Sequence, residues 1–305
     1  MTSVSNDLNG IVLNGSVDLN INRAKVLSNR NDGIVTSLDA DSSVQISDSV
    51  VANNGNAGLR ALPAERTRFK IIATNFTAHH NGEAIVAMKQ TKLDLSVDNC
   101  NFWMNNVGVI TLNEMFKCDL RISRCNFTRN KGTTLSIKRF HSATNIQVTE
   151  NRFAYNQLHK TNILNAVVDM ETLEDGSRVH INDNAFVRNT MENIVRIMNS
   201  DVVTGQSTPT QVSFSSNTLL ANLAVDVMLI SVPNANITQN RFEDVQAQCE
   251  LKTGFKMGNA LISAPNNFWG TDKEIEVKTI INFFVPELKT AFTFRDCSLW
   301  KCDCH

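Results

Sequence analysis

Tyrosine is almost missing: the 305 residues hold one, against sixteen phenylalanines. Aromatic rings with no polar edge belong wholly inside, so the phenylalanines are expected to be core. An excess of charge is missing too. Twenty-nine basic residues face thirty acidic ones, for a formal net charge of -1. That balance argues against a nucleic-acid footprint and against a polybasic patch holding this segment to a membrane. No apolar run approaches the roughly 20 residues of a membrane span. Met1–Asn9 is polar and lacks a secretory signal pattern. The chain is therefore cytosolic, or it is part of a longer one whose signal lies elsewhere. Hydrophobic content of 42% is still enough for a sizeable core.

What is abundant is asparagine, which is poor inside helices but tolerates the left-handed backbone of turns. It recurs in a phrase whose fullest form is Asn151-Arg152-Phe153-Ala154-Tyr155-Asn156. The anchors of successive phrases are Val26, Val50, Phe76, Phe102, Phe127, Phe153, Phe186, Leu219, Phe242 and Phe268. Their spacings are 24, 26, 26, 25, 26, 33, 33, 23 and 26, a solenoid period. Seven and five residues before most anchors stand two apolar residues separated by a polar one, as in Leu95/Val97, Leu120/Ile122 and Val179/Ile181. Such alternation is a strand with one face buried. The second repeat is offset by one, with Val44/Ile46 before Val50, and the last pair, Leu261/Ser263, is weak. The Leu-x-x-Leu-x-Leu skeleton of leucine-rich repeats is absent.

One unit thus reads strand, Asn bend, inward aromatic, second bend, Gly, strand. Three short strands in about 25 residues make one rung of a parallel β-helix. The expected fold is all-β: a right-handed single-stranded parallel β-helix over residues 1–271, of about ten rungs and on the order of 50 Å long. Phe76, Phe102, Phe127, Phe153, Phe186 and Phe242 should stack through the bore. The asparagines two before the anchors, among them Asn151, Asn184, Asn217 and Asn240, should form a hydrogen-bonded ladder. The two 33-residue spacings place insertions at Leu158–Ser177 and Val195–Thr210, expected to leave the coil on one side and lie together. Residues 272–296 form a C-terminal cap, with a short helix over Asp272–Phe284 and a strand at Ala291–Phe294. Residues 297–305 read as the start of a truncated cysteine-rich segment.

The Asn-x-Phe-x-x-Asn coil resembles the right-handed parallel β-helix repeat of pectate lyases, polygalacturonases and many surface proteins. The ending Asn266-Asn267-Phe268-Trp269-Gly270-Thr271, followed by Glu274-Ile275 and Ile280-Ile281, resembles the Asn-x-Trp-Trp-Gly close of β-helix domains in the animal Bark beetle (Anakonda) family. Phe268 stands where Trp is usual. Members of that family are large single-pass surface proteins of tricellular junctions. The resemblance implies one β-helix module of such a protein, without its membrane segment or cysteine-rich modules.

Catalytic signatures are the last absence. Hydrolysis of polygalacturonate on this fold uses Asn-Thr-Asp, Asp-Asp, Gly-His-Gly and Arg-Ile-Lys, and none occurs. The acidic groups Asp39/Asp41/Asp48 and Glu171/Glu174/Asp175 are not spaced one rung apart and read as solvated loops. His79-His80 falls where the second asparagine of the phrase belongs and reads as a polar corner. His141, His159 and His180 are isolated. No catalytic residue, metal ligand or cofactor site is assigned.

Seven cysteines cannot all pair within one chain. Cys100 and Cys125 hold the ladder position in consecutive rungs, where a disulfide and a pair of small buried thiols are both compatible with the spacing. Cys118 and Cys249 have no evident partner. Cys297, Cys302 and Cys304 lack the paired Cys-x-x-Cys spacing of a zinc site. Sequons begin at Asn14, Asn75, Asn126 and Asn236; Asn75 and Asn126 precede inward anchors and should point outward. The leading expectation is a non-catalytic extracellular module of a membrane-anchored adhesion or junction protein. It would bind other cell-surface proteins or glycans through a rigid surface. The alternative is a polysaccharide-active β-helix enzyme, a lyase or hydrolase.

Overall fold

The computed structural model describes residues 1–16, 18–37, 41–159, 166–174, 176–198, 209–232, 234–244, 246–247, 249–253, 261–270 and 281–283. The side chains of 64–67, 261 and 281–283 also lie outside the description. The polypeptide winds as single-file strands into three parallel sheets of ten, eleven and ten strands. Every strand pairs in parallel with its equivalents one turn away. Sheet A carries the three-residue strands of the phrase, such as Asn101–Trp103 on Asn126–Thr128 on Arg152–Ala154. Sheet B follows it, with Gly108–Met115 on Thr133–Phe140. Sheet C completes the turn, with Lys117–Ser123 on Asn145–Thr149. The bends joining C to A and A to B are tight. Nearly all pass through a residue with φ between 48° and 58°, such as Asn75, Asn99 and Arg124 before sheet A, or His80, Arg129 and Tyr155 after it. Such a conformation costs a non-glycine residue roughly 1–2 kcal/mol, so hydrogen bonds at the bend must offset it.

The aromatic stack runs through the bore as expected, but its membership differs at both ends. Phe102, Phe127, Phe153 and Phe186 lie face to face with centroids 5.1, 4.7 and 4.8 Å apart. Leu219 fills the next anchor position. There Phe214, from sheet C, bridges Phe186 and Phe242 at 6.4 and 6.5 Å. Three anchors shift. Val51, not Val50, pairs with Val26, which removes the apparent offset of Val44/Ile46. Ala78, not Phe76, pairs with Phe102. Phe76 instead takes the ladder position opposite Cys100 and meets Phe102 edge-on at 69°. Trp269, not Phe268, stacks on Phe242, 4.5 Å away, and Phe268 is exposed. At Val50/Val51 and Phe268/Trp269 two apolar neighbours alternate in and out of the coil, whereas Phe76 and Ala78 are both buried, and only the register shows which one holds the anchor position.

The insertions do not leave together. Six positions separate Phe127 from Thr133, whereas thirteen separate Phe153 from the equivalent Ala166, so the first insertion lies at the A-to-B bend. Twelve positions separate Ala166 from Arg178, whereas eighteen separate Asn193 from the equivalent Gln211, so the second lies at the B-to-C bend. They emerge from opposite edges of sheet B, because the extra residues fall on either side of its strand. The helix expected over Asp272–Phe284 is corrected at its end: Ile281–Phe283 is a strand paired on Cys249–Thr253. Residues 272–280, the strand expected at 291–294 and the cysteines at 297, 302 and 304 lie outside the described residues.

Candidate functional site

Two amide ladders hold the bends. The one expected two residues before the anchors runs Asn151, Asn184, Asn217, Asn240 and Asn267. Each side-chain oxygen accepts both the backbone N–H and the Nδ2 of the previous asparagine, at 2.9–3.1 Å. A second ladder, three residues after the anchors, is longer. It runs through Asn29, Asn54, Asn81, Asn105, Asn130, Asn156, Asn189 and Asn222 to Asp244. Asn130 shows its chemistry. Its N–H and Nδ2 donate to Asn156 Oδ1, Nδ2 also donates to the Phe102 carbonyl, and its Oδ1 accepts twice from Asn105. Buried amides are thus fully satisfied beside the strained bends. The second ladder was legible as the second asparagine of the phrase, but its role was missed. The second asparagine of the third rung is Asn81, so His79 and His80 precede the ladder.

The second ladder ends in carboxylates. Asp244 accepts from Asn222, and its own N–H donates to Glu250 Oε1 at 3.0 Å, where the next rung would offer an amide oxygen. Both side chains are buried. Asp244 Oδ2 and Glu250 Oε2 have no hydrogen-bond partner. Burial pushes the Asp244 carboxyl up to about 6, and burial with the Asp244 charge pushes Glu250 up to about 8.

Cys100 and Cys125 do stack in consecutive rungs, but as free thiols, not a disulfide. The Cys100 N–H faces the Cys125 sulfur at 3.4 Å, and the Cys125 N–H donates to Asn151. Equivalent Cβ atoms in stacked strands stand about 4.8 Å apart, beyond the 3.5–4.5 Å a disulfide spans. The sulfurs act as poor members of the first ladder. Cys118 is also buried and free, and Cys249 is buried.

The outward face of sheet B carries a four-residue ion-pair network. Asp169 and Glu171, on strand Ala166–Glu171, meet Lys138 from one neighbouring strand and Arg196 from the other. Arg196 lies 2.7 Å from Asp169 and 3.4 Å from Glu171; Lys138 lies 3.0 and 3.3 Å from the same pair. Asp169 is 1% exposed and Arg196 7%. Glu171 is therefore part of a strand network, not of a solvated loop. Partial burial works to raise its carboxyl, but Arg196 and Lys138 outweigh that and hold it below its usual value. The same face holds Asp32 with Arg60 at 3.0 Å and Asp226 with Lys252 at 3.1 Å. These pairings join residues some 25 to 33 positions apart, so the strand register alone reveals them. Asp48, from the other acidic group, sits at a bend and accepts from Asn75.

Of the sequon asparagines, Asn14, Asn75 and Asn236 are exposed, whereas Asn126 is half-buried and bonded to Asn101 and Thr128. His141 lies against Phe116; His79, His80 and Trp103 form an aromatic corner on sheet A. Among the described residues, no group of three or more His, Cys, Asp or Glu is placed to hold a metal ion, and no helix is long and apolar enough to cross a membrane.

Three parallel sheets wound in single file, with amide ladders at two bends, define a parallel β-solenoid. The chain belongs to the family of the right handed beta helix region, whose model matches residues 9–167, more than half of its length. No curated protein and no solved structure matches it.

Proposed function

We propose that this β-helix is a non-catalytic module of a large extracellular adhesion or junction protein, of the Bark beetle kind, that presents a rigid surface to cell-surface proteins or glycans. The observation that carries the reading is the state of the acids on the outward face of sheet B. Asp32, Asp169, Glu171 and Asp226 are all engaged by Arg or Lys. Glycoside hydrolysis needs a carboxyl kept protonated to serve the leaving group, and Glu171 is held the other way. The exposed sequons at Asn14, Asn75 and Asn236 suit a secreted surface. The ending adds support. Trp269 is the inward residue, so the departure from the Asn-x-Trp-Trp-Gly pattern at Phe268 falls on the outside. Expression in a secreting host tests the location: peptide mapping should find glycan on Asn75 or Asn236, and an unmodified secreted chain would remove that support.

The alternative is a polysaccharide-active enzyme, and it draws on the Lys138–Asp169–Glu171–Arg196 quartet, two carboxylates between two cations on a surface a polymer could cross. Release of unsaturated or reducing sugars from polyuronates, abolished in Arg196→Ala, would establish it and overturn the adhesion reading.

A further inference from the structure

At one bend the solenoid breaks its own pattern. Outward positions on the short strands of sheet A hold residues such as Ala52, Thr128 and Val187, but Thr77–His79 pairs with Asn101–Trp103 so that His79 lies against Trp103. The His79 ring stacks on the indole at 4.1 Å and 17°, and His80, at the left-handed bend, meets the same indole edge-on at 4.9 Å. Held this way, the two imidazoles turn their Nδ1 atoms toward each other, 2.9 Å apart. Two bare lone pairs would repel at that distance, so one Nδ1 carries a proton and donates to the other. His80 is exposed and His79 half-buried, so solvent reaches the corner. Asn53 and Met104 occupy the positions stacked on His80 in the rungs before and after it.

We propose that His79 and His80 chelate one Cu²⁺ ion through their two Nδ1 atoms, with Trp103 as the wall that orients both rings. The geometry selects the metal. A cation about 2.05 Å from both nitrogens, placed across the 2.9 Å separation, subtends about 90°. That is the angle between adjacent ligands in a tetragonal site, which suits Cu²⁺ or Ni²⁺, and copper binds imidazole more tightly. Tetrahedral Zn²⁺ would need the nitrogens about 3.3 Å apart. The proton accounting closes within the pair: the donor ring moves its proton from Nδ1 to Nε2, leaving two neutral imidazoles with both Nδ1 lone pairs free. Water fills the remaining positions on the open side.

The test is titration of the metal-free chain with Cu²⁺, Ni²⁺ and Zn²⁺ in separate arms. It is repeated on a C297S/C302S/C304S chain so that the terminal thiols do not compete. One equivalent of Cu²⁺ should bind, with an axial electron paramagnetic resonance spectrum split by nitrogen and with quenching of indole fluorescence. His79→Gln and His80→Gln should each weaken binding at least about tenfold, a loss seen even when only the partners of a metal ligand are removed. Trp103→Phe should keep the spectrum and lose most of the quenching. His180→Gln should change nothing. Copper affinity unchanged in the His79→Gln/His80→Gln double variant, with an unaltered melting temperature to show that it folds, would overturn the site. So would equal preference for Zn²⁺.

Discussion

Trp269 lies flat on Phe242, with ring centroids 4.5 Å apart and planes 12° from parallel, while its neighbour Phe268 faces solvent. Among the described residues the indole is the last ring of the bore. Trp269→Ala should therefore cost about 3–5 kcal/mol, and Phe268→Ala less than about 1 kcal/mol. Phe153→Ala, deep in the stack, should match the former. Chemical denaturation of the three variants checks the order; equal losses at 268 and 269 would contradict the register.

Asn156 serves five hydrogen bonds in the second ladder. Its replacement by alanine orphans the N–H and one Nδ2 hydrogen of Asn130 and takes one donor from the Phe127 carbonyl in a buried bend. At about 1–3 kcal/mol for each orphaned group, Asn156→Ala should lose at least about 2 kcal/mol. Hydrogen exchange should then show the amides of Asn130 and Asn156 opening well before those of distant rungs, since a solenoid is stabilised rung by rung.

Stability should fall with rising pH through one identified pair. Asp244 and Glu250 titrate near 6 and 8 in the folded chain, against ordinary values of 3.8 and 4.5. The native state thus holds protons that the unfolded state gives up. Their contribution is fully present below about pH 4 and is lost as pH rises through 6 and then 8. Asp244→Asn removes one charge and supplies an Nδ2 donor that, on the ladder pattern, would share Glu250 Oε1 with the backbone N–H. It should raise stability at pH 8.5 by about 1 kcal/mol, a shift of a few degrees in melting temperature, and flatten the pH profile. A wild-type melting temperature that is constant from pH 5 to 8.5 would contradict the assignment.

Cys100, Cys118 and Cys125 should be silent toward thiol reagents in the native chain and react on unfolding, since all three are buried and free. Mass spectrometry after alkylation before and after denaturation distinguishes them. Cys125→Asn should extend the first ladder, because an amide oxygen would replace the sulfur that faces the Cys100 N–H. A gain of about 0.5–1.5 kcal/mol is expected.

The period, the parallel winding and the asparagine bends were legible because each reflects a local rule repeated many times. The places where the reading slipped share a cause. At Val50-Val51, between Phe76 and Ala78, and at Phe268-Trp269, apolar residues crowd around the anchor, and a count of spacings cannot tell an inward side chain from its neighbour. The irregularities noted at Val44/Ile46 and Leu261/Ser263 were the trace of that slip: the true inward pairs, Val44/Ile46 before Val51 and Ile262/Ala264 before Trp269, keep the common spacing. The quartet around Asp169 was illegible for a different reason. Its members lie on three strands, and an insertion before Ala166 shifts their separation.

The two ladders also give the rod a direction. In each, the nitrogens of one rung reach toward the oxygen of the following rung, so the amide dipoles of both columns add along the axis. The two ends are therefore chemically unlike: a structure docking beyond the last rung must offer an acceptor, and one preceding the first must offer a donor. In the second column Glu250 already fills the acceptor's place. Among the described residues that column therefore ends on a carboxylate of the same chain instead of an open donor.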